Sequence, residues 1–240
     1  MSLEAGVSLA TKQLCLIISL FLASSLCKAE DEPMIIYFGG AGASQSQMNC
    51  WEQGAEKITK FKNYSFKGIA YPLGASEKQD SALNKGADLF NAVANVINRN
   101  PKRKFILIGH SSGATLANKA AELVKDSAQI ELYNLDGFVP SKELQKKVKT
   151  TCVHAINRNL GTKSINANSV SGVCGTDRQY IDYQCKTEWC LHYSLINKST
   201  PPNLNIDTAK RDGYLGCETN LDWLESPAIP GAEKKVRTSD

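Results

Sequence analysis

Residues 105–124 read FILIGHSSGATLANKAAELV, a stretch that begins with four consecutive apolar residues and passes through a glycine-bounded turn. The first four residues are typical of a buried strand, and the residues after Gly113 place apolar side chains at helical spacing. The turn between them has the form G-x-S-x-G, with Ser111 at its centre. A strand that enters such a turn and leaves it as a helix lifts the serine hydroxyl clear of the sheet. Ser111 is therefore the candidate nucleophile.

Further strands and helices alternate on both sides of this unit. Continuous apolar runs predict strands at residues 34–38 and 105–108, and further strands are predicted at 64–71, 130–135 and 152–156. Helical spacing predicts helices at 82–98 and 114–125, and Ser141 as an N-cap predicts a short helix at 142–148. Residues 157–189 lose periodicity and predict a long loop region. Repeated strand–helix units with continuous apolar strands predict a compact α/β fold, with a doubly wound, mainly parallel sheet and helices on both faces.

Length and composition predict one globular domain and no nucleic-acid partner. The chain has 240 residues, of which 42% are hydrophobic and 22% are charged, which is the range of a single domain. The 28 basic residues against 24 acidic ones leave a net charge of +4, too even a balance for a nucleic-acid surface. We expect a monomer.

The N-terminal region predicts export. Residues 14–26, LCLIISLFLASSL, are apolar but too short to span a bilayer comfortably, and they suit the core of a signal peptide that ends at Ala29. Lipid attachment at Cys27 is the alternative, which the bulky Leu26 disfavours. We expect a signal peptide at 1–29, the globular domain at 30–226 and a flexible polar tail at 227–240. The location is then secreted or periplasmic.

The cysteines left after removal of the signal peptide are even in number. They are Cys50, Cys152, Cys174, Cys185, Cys190 and Cys217. In an exported chain they predict up to three disulfides, whose pairing the sequence leaves open. A zinc site at Cys185, Cys190 and His192 is the alternative, but zinc ligands are usually more closely spaced and exported thiols tend to oxidise. We therefore expect no metal.

A serine nucleophile needs a histidine base, and the chain has three histidines. His110 lies inside the turn, and we expect its side chain to point away from the site. His154 lies in the middle of a predicted strand, where a buried and satisfied ring is the simpler interpretation. His192 follows all the predicted strands and preserves the chain order Ser, Asp, His, so it is the preferred base.

The carboxylate that orients the base has three candidates. Asp136 follows the strand at 130–135 and is preferred, although Asp-Gly is also an ordinary turn pair. Asp177 and Asp182 are the alternatives. The donors of an oxyanion hole are expected to be the backbone N–H of Ser112 and, from the loop after the first strand, that of Gly40 or Ala41.

The chain resembles the α/β-hydrolase superfamily. Around the turn it is similar to the secreted pancreatic-type lipases, which also carry G-H-S-x-G, place an aspartate after the next strand in a Leu-Asp-Pro-like segment, and place the histidine in Cys-x-His. Here the corresponding segments are Leu135-Asp136-Gly137 and Cys190-Leu191-His192. Gly137 departs from the proline of those lipases. The likeness covers residues 105–140 and 190–194.

A second resemblance keeps the alternative acids open. Cutinase-like enzymes carry the acid in a small disulfide loop shortly before the histidine, and the segment Cys174-Gly-Thr-Asp177 resembles that arrangement. The resemblances leave Asp136, Asp177 and Asp182 as candidates, with Asp136 preferred.

These observations predict hydrolysis of an ester or thioester through an acyl-enzyme on Ser111, without a cofactor. Carboxylesterase, lipase and thioesterase activities all fit, with a small-molecule or lipid ester as substrate, and a lipid substrate implies transient contact with a membrane surface. The alternatives are an acyltransferase that uses the same residues and a non-catalytic binding protein of the same fold.

Overall fold

Seven strands form one sheet in the part of the chain that the computed structural model describes, namely residues 32–72, 79–167, 178–205, 207 and 217–225. The strands are β1 (Met34–Phe38), β2 (Ser65–Ile69), β3 (Phe105–His110), β4 (Ile130–Leu135), β5 (Lys149–Asn157), β6 (Thr162–Lys163) and β7 (Arg178–Asp182). Their order is β2-β1-β3-β4-β5-β6, and β7 pairs with β5. Every pairing is parallel except that of β5 with β6.

Helices connect these strands. They are α1 (Gln45–Glu56), α2 (Gln79–Lys85), α3 (Ala87–Arg99), α4 (Gly113–Leu123), α5 (Lys142–Lys147) and α6 (Glu188–Ser194), with short 3₁₀ helices at Thr59–Phe61, Ser127–Gln129 and Asp222–Glu225. No helix of the described ranges is long and apolar enough to cross a membrane.

The core lies on both faces of the sheet. All five residues of β1 are buried, as are eight of the nine residues of β5. Because successive side chains of a strand point to opposite faces, such continuous burial requires that both faces be covered. The helix α4 packs on β3, β4 and β1, and α3 packs on α4. The predicted α/β fold with a mainly parallel sheet is confirmed.

Two helices differ from the prediction. The helix expected at 82–98 is divided into α2 and α3, and Gly86 between them is the N-cap of the second. The helix α1 was not predicted, although Ser44 and Gln47 form a capping box in which each side chain bonds the other's backbone N–H. Its Trp51 stacks on Tyr37 of β1, with ring centroids 4.6 Å apart.

The prediction of a long loop at 157–189 is wrong for part of that range. A turn that contains Gly161, at φ 66°, reverses the chain from β5 into β6. The strand β7 then pairs in parallel with β5, with His154 opposite Tyr180. Strand pairing in this segment depends on the edge that β5 offers, which local periodicity does not reveal.

Disulfides account for the described cysteines. Cys50 bonds Cys217 and Cys185 bonds Cys190, while Cys152 is also disulfide-bonded. The zinc alternative at Cys185 and Cys190 is therefore wrong, because these sulfurs are joined to each other. Within the described residues no group of three His, Cys, Asp or Glu side chains could hold a metal ion. The predictions made for residues 1–29 and 227–240, and those made for Cys174 and Asp177, concern residues outside the described ranges.

Candidate active site

Ser111 occupies a strained turn at the carboxyl end of β3. Its φ is 52°, in the left-handed region that non-glycine residues seldom adopt, and it lies between β3 and the first residue of α4. Its N–H donates to the carbonyl of Leu135, the last residue of β4, at 3.0 Å. This bond joins the turn to the end of the neighbouring strand. Ser111 as a whole residue is only partly buried at this edge of the sheet.

Asp136 occupies the matching position after β4. Its φ is 42°, and among the described non-glycine residues only Ser111 and Asp136 have a positive φ. The N–H of Asp136 donates to the carbonyl of Val153 on β5 at 2.9 Å. Residues held in such conformations cost on the order of 1 kcal/mol each and concentrate at functional sites. Here the two strained residues lie side by side at the same edge of the sheet.

Gly137 explains how this chain departs from the lipase pattern. Its N–H donates to Asn134 Oδ1 at 3.0 Å. A Cβ built on Gly137 would lie 2.6 Å from both Ala114 Cβ and the Ser111 carbonyl oxygen. A proline at this position would lack the donor and would collide with the turn, so glycine is the residue that this packing requires.

The carboxylate of Asp136 is completely buried and accepts hydrogen bonds on both oxygens. Oδ2 lies 2.5 Å from His192 Nδ1. Oδ1 lies 3.2 Å from His154 Nδ1 and accepts from the Ser164 hydroxyl at 2.8 Å. The backbone N–H of Asn166 reaches both oxygens, at 3.2 and 3.3 Å. A buried carboxylate with this many donors is satisfied as an anion.

The charge of Asp136 follows from these contacts. Burial by itself raises the pKa of the carboxyl, but the hydrogen bonds from His154, His192 and Ser164 outweigh it and hold the pKa well below its usual range. Asp136 is therefore ionised at neutral pH. Because an ionised carboxylate only accepts hydrogen bonds, Nδ1 of His192 carries the proton and a neutral His192 ring has a bare Nε2.

His192 is carried by the short helix α6. The N-cap Thr187 accepts from the N–H of Cys190, and the disulfide from Cys190 to Cys185 ties this turn to the chain before the helix. The ring of His192 meets Trp189 edge-on, with centroids 5.8 Å apart. The side chain of His192 is buried, so its orientation is fixed by these neighbours.

His110 does not point away from the site as predicted. Its ring centroid lies 4.3 Å from that of His192, and its Nε2 lies 3.1 Å from the His192 carbonyl oxygen. Burial, followed by the charge of His192, lowers the pKa of His110 well below its usual value. The ring is therefore neutral at neutral pH, and its Nε2–H donates to the carbonyl. The residue before Ser111 thus contacts the residue that carries the candidate base.

The loop after β1 lies against the turn. A Cβ built on Gly40 would lie 3.0 Å from Ser111 Cβ and 3.2 Å from His110 Nδ1, so a side chain here would push these neighbours back by a few tenths of an ångström. Among the described residues the backbone N–H groups of Gly40, Ala41 and Ser112 have no acceptor. These are the three groups that the sequence analysis selects as candidate oxyanion donors.

Tyr71 adds a contact that the sequence did not indicate. It follows β2, and its hydroxyl faces the side chain of Ser112, a contact that by itself lowers the pKa of the phenol. The phenol is buried, and burial raises its pKa. The side chain of Ser112 thus faces Tyr71, and none of the described residues accepts from its backbone N–H.

The alternative acid Asp182 lies away from this cluster of contacts. It ends β7, and its Oδ1 accepts from the backbone N–H of Arg158 at 3.2 Å. Asp177 is outside the described residues. Of the two candidate acids that the structure describes, Asp136 is the one in hydrogen-bond contact with His192.

Ser164, Asn166 and His154 belong to the site but were missed as partners of Asp136. Asn166 also donates from its side chain to the Asp136 carbonyl, at 2.7 Å. Ser164 and Asn166 follow the turn after β5, a connection with no local sequence signal. His154 could have been found from the strand register, because pairing of Leu135 with Val153 sets it beside Asp136.

Comparison with known proteins adds similarities of fold. No protein-family model and no curated protein matches the chain. Among solved structures it is similar to an extracellular α/β-hydrolase from a Paenibacillus species, with 21% identity over 45% of this chain and 42% of that one, and a TM-score of 0.33. The chain thus spans less than half of that enzyme.

Two further solved structures share a low sequence identity with this chain. A cutinase from Trichoderma reesei shares 15% identity over 61% of this chain and 77% of its own, with a TM-score of 0.32. A hydrolase of the α/β superfamily from Xanthomonas campestris shares 10% over 63% and 87%, with a TM-score of 0.38. At such TM-scores they carry no argument about the activity of this chain, which rests on its own residues.

Proposed function

We propose that this chain is a serine hydrolase that cleaves an ester or thioester through an acyl-enzyme on Ser111. His192 is the general base and Asp136 is the carboxylate that orients it. The observation that carries the proposal is the 2.5 Å contact between His192 Nδ1 and Asp136 Oδ2, made beside the strained turn that holds Ser111. The serine and the carboxylate follow neighbouring strands and the imidazole lies on α6, and these three groups are the ones that acyl transfer requires.

The first half of the reaction forms the acyl-enzyme. His192 Nε2 accepts the proton of the Ser111 hydroxyl while Oγ attacks the carbonyl carbon of the substrate. Asp136 keeps the proton on Nδ1 and stabilises the imidazolium that forms. The tetrahedral intermediate collapses when the bond to the alcohol or thiol breaks, and His192 returns its proton to that leaving group.

The second half releases the acid. Water gives a proton to His192 Nε2 and attacks the acyl carbon, and collapse of the second tetrahedral intermediate restores the Ser111 hydroxyl. In both halves the oxyanion is stabilised by the N–H of Ser112 together with that of Gly40 or Ala41. Their lack of acceptors among the described residues supports this role.

We also propose that the protein works outside the cytoplasm. The disulfides Cys50–Cys217 and Cys185–Cys190 support this, because such bonds persist in oxidising compartments. Cleavage after Ala29 would leave Glu30 as the first residue of a domain at 30–226, with a tail at 227–240. The N-terminal sequence of the protein recovered from an expressing culture tests the cleavage site. An N-terminus at Met1 would contradict it.

Hydrolysis of p-nitrophenyl and thioester substrates tests the proposed activity. Wild type should turn over at least one of a series of acyl-chain lengths, and Ser111→Ala should reduce kcat by at least about a thousandfold, because the nucleophile is gone. Ser46→Ala is the matched control, since Ser46 is an exposed serine on α1. Equal turnover by wild type and Ser111→Ala would contradict the proposal.

Single Asp→Asn variants test which carboxylate acts. Asp136→Asn should lose about ten-thousandfold in kcat, because an amide favours the wrong tautomer of His192. Asp182→Asn and Asp177→Asn should stay within a fewfold of wild type. A large loss only at Asp177 or Asp182 would move the acid to that residue.

A further inference from the structure

His154 is a buried histidine that the proposed reaction does not use. It lies on β5, is 1% exposed, and directs Nδ1 at Asp136 Oδ1, 3.2 Å away. Its Nε2 is buried with no hydrogen-bond partner among the described residues. One carboxylate therefore contacts two histidines, one on each oxygen.

We propose that His154 is a positioning residue, which fixes the plane of the Asp136 carboxylate so that Oδ2 faces Nδ1 of His192. The effect of His154 on kcat rests on the proposed function. The geometric part, that His154 sets the Asp136–His192 hydrogen bond, stands on the contacts alone.

The carboxylate needs such a constraint. The last torsion of an aspartate is broad and nearly two-fold, so the side chain itself does not distinguish Oδ1 from Oδ2. The Asn166 N–H contacts both oxygens, at 3.2 and 3.3 Å, and so does not distinguish them either. The two donors specific to Oδ1 are Ser164 Oγ at 2.8 Å and His154 Nδ1 at 3.2 Å.

His154 is the stiffer of these two donors. A serine hydroxyl rotates to suit its acceptor, whereas a ring nitrogen has one direction once the ring is packed. The His154 ring is held by its place in β5 and by Tyr180 on β7, with ring centroids 5.8 Å apart. Because Asp136 is ionised, the proton of a neutral His154 lies on Nδ1, and His154 acts as the donor.

A role in packing alone does not explain this residue. Its neighbours on β5, Val153 and Ala155, are buried apolar residues. A leucine would fill the position without leaving a buried nitrogen unpaired, and an unpaired buried nitrogen costs stability. His154 leaves a buried nitrogen unpaired and at the same time donates to a candidate catalytic carboxylate. Its presence is therefore explained by the site and not by the packing of the core.

Two variants separate the hydrogen bond from the volume. His154→Asn places an amide donor close to the position of Nδ1, and His154→Leu removes the donor but keeps the volume. In His154→Leu we expect kcat to fall between about ten- and hundredfold with KM unchanged, and in His154→Asn to recover to within a fewfold of wild type. His154→Leu removes an unpaired buried nitrogen but also a donor to the buried Asp136 carboxylate, so its melting temperature is measured to establish that the variant is folded at the assay temperature.

A spectroscopic readout tests the geometry without turnover. The proton shared by His192 Nδ1 and Asp136 should give a far-downfield ¹H NMR resonance in wild type, assigned by its loss in His192→Gln. We expect His154→Leu to shift or broaden that resonance and His154→Asn to retain it. In an Asp136→Asn background, His154→Leu should cause no further loss of kcat, because its effect passes through that carboxylate.

The outcomes distinguish the two proposals. If wild type hydrolyses esters but neither kcat nor the resonance responds to His154→Leu, the positioning role is overturned and the hydrolase stands. If His154→Asn is as impaired as His154→Leu, the donor is not what matters, and the role is likewise overturned. If the resonance responds as expected but wild type hydrolyses none of the esters, the positioning role holds and the proposed hydrolase fails.

Discussion

His110 Nε2 lies 3.1 Å from the main-chain oxygen of His192, so the residue before the proposed nucleophile holds the backbone of the proposed base. The two residues are 82 positions apart in the sequence. Their contact ties α6, which carries His192, to the end of β3, so the position of the proposed base depends on it. It also gives a function to a side chain that lies between Gly109 and Ser111.

The hydrogen bond from His110 should matter for activity more than for folding. We expect His110→Leu to lower kcat/KM by about tenfold, the equivalent of one neutral hydrogen bond, because α6 loses a contact that orients His192. His110→Gln, which places a donor near Nε2, should recover most of this loss. Steady-state kinetics on both variants provides the measurement. Equal activity of the leucine and glutamine variants would show that the hydrogen bond is irrelevant.

Gly137 should tolerate no side chain. Gly137→Ala should destabilise the fold by roughly 1–3 kcal/mol, because the new methyl group meets Ala114 Cβ and the Ser111 carbonyl at 2.6 Å. Gly137→Pro should cost more, since it also removes the N–H that bonds Asn134. Urea unfolding measures the free energies. Gly161→Asn is the control, because a Cβ there meets nothing within 4 Å and asparagine accepts a positive φ. Equal stabilities at the two positions would contradict the packing described here.

The charge of Asp136 gives stability a defined pH dependence. A carboxyl whose folded-state pKa is lowered stabilises the fold above its unfolded pKa of about 3.9, and this stability is lost as the pH falls towards the folded-state pKa. The difference in melting temperature between wild type and Asp136→Asn should shrink as the pH falls below about 4. Calorimetry from pH 3 to 7 tests this. A difference that grows on acidification has the wrong sign.

The two disulfides should differ in what they protect. Cys50–Cys217 spans 167 residues and Cys185–Cys190 spans 5, so chain entropy gives about 5 and about 2 kcal/mol respectively. The double alanine variant at Cys50 and Cys217 should lose more stability yet keep its kcat while folded. The one at Cys185 and Cys190 should lose less stability but more kcat, because it frees the start of α6. Urea unfolding and steady-state kinetics on the same samples measure both quantities. A larger loss of stability at Cys185 and Cys190, or a larger loss of kcat at Cys50 and Cys217, would contradict the prediction.

The strands and the turn at Ser111 were predictable because their signals are local. An apolar run of four to six residues, such as Met34–Phe38, specifies a buried strand with little help from the rest of the chain. The glycines around Ser111 likewise act within a few residues. For this reason β1 and β4 were predicted with the bounds that the structure has.

The surroundings of Asp136 were not predictable because they depend on register. His154 meets the carboxylate only because β4 and β5 pair in parallel with Leu135 opposite Val153. Ser164 and Asn166 reach it through a turn that begins 20 or more residues after Asp136 in the chain. The helix α6 has seven residues, too few for a periodic pattern to be recognised.

The central claim is that Ser111 is a nucleophile activated by His192. The most direct test is to react the folded, mature protein with a fluorophosphonate and to map the modified residue by peptide mass spectrometry. The account predicts one adduct, on Ser111, that forms far more slowly in His192→Ala and is absent in Ser111→Ala. No adduct on folded wild type, or an adduct on a different residue, would contradict it.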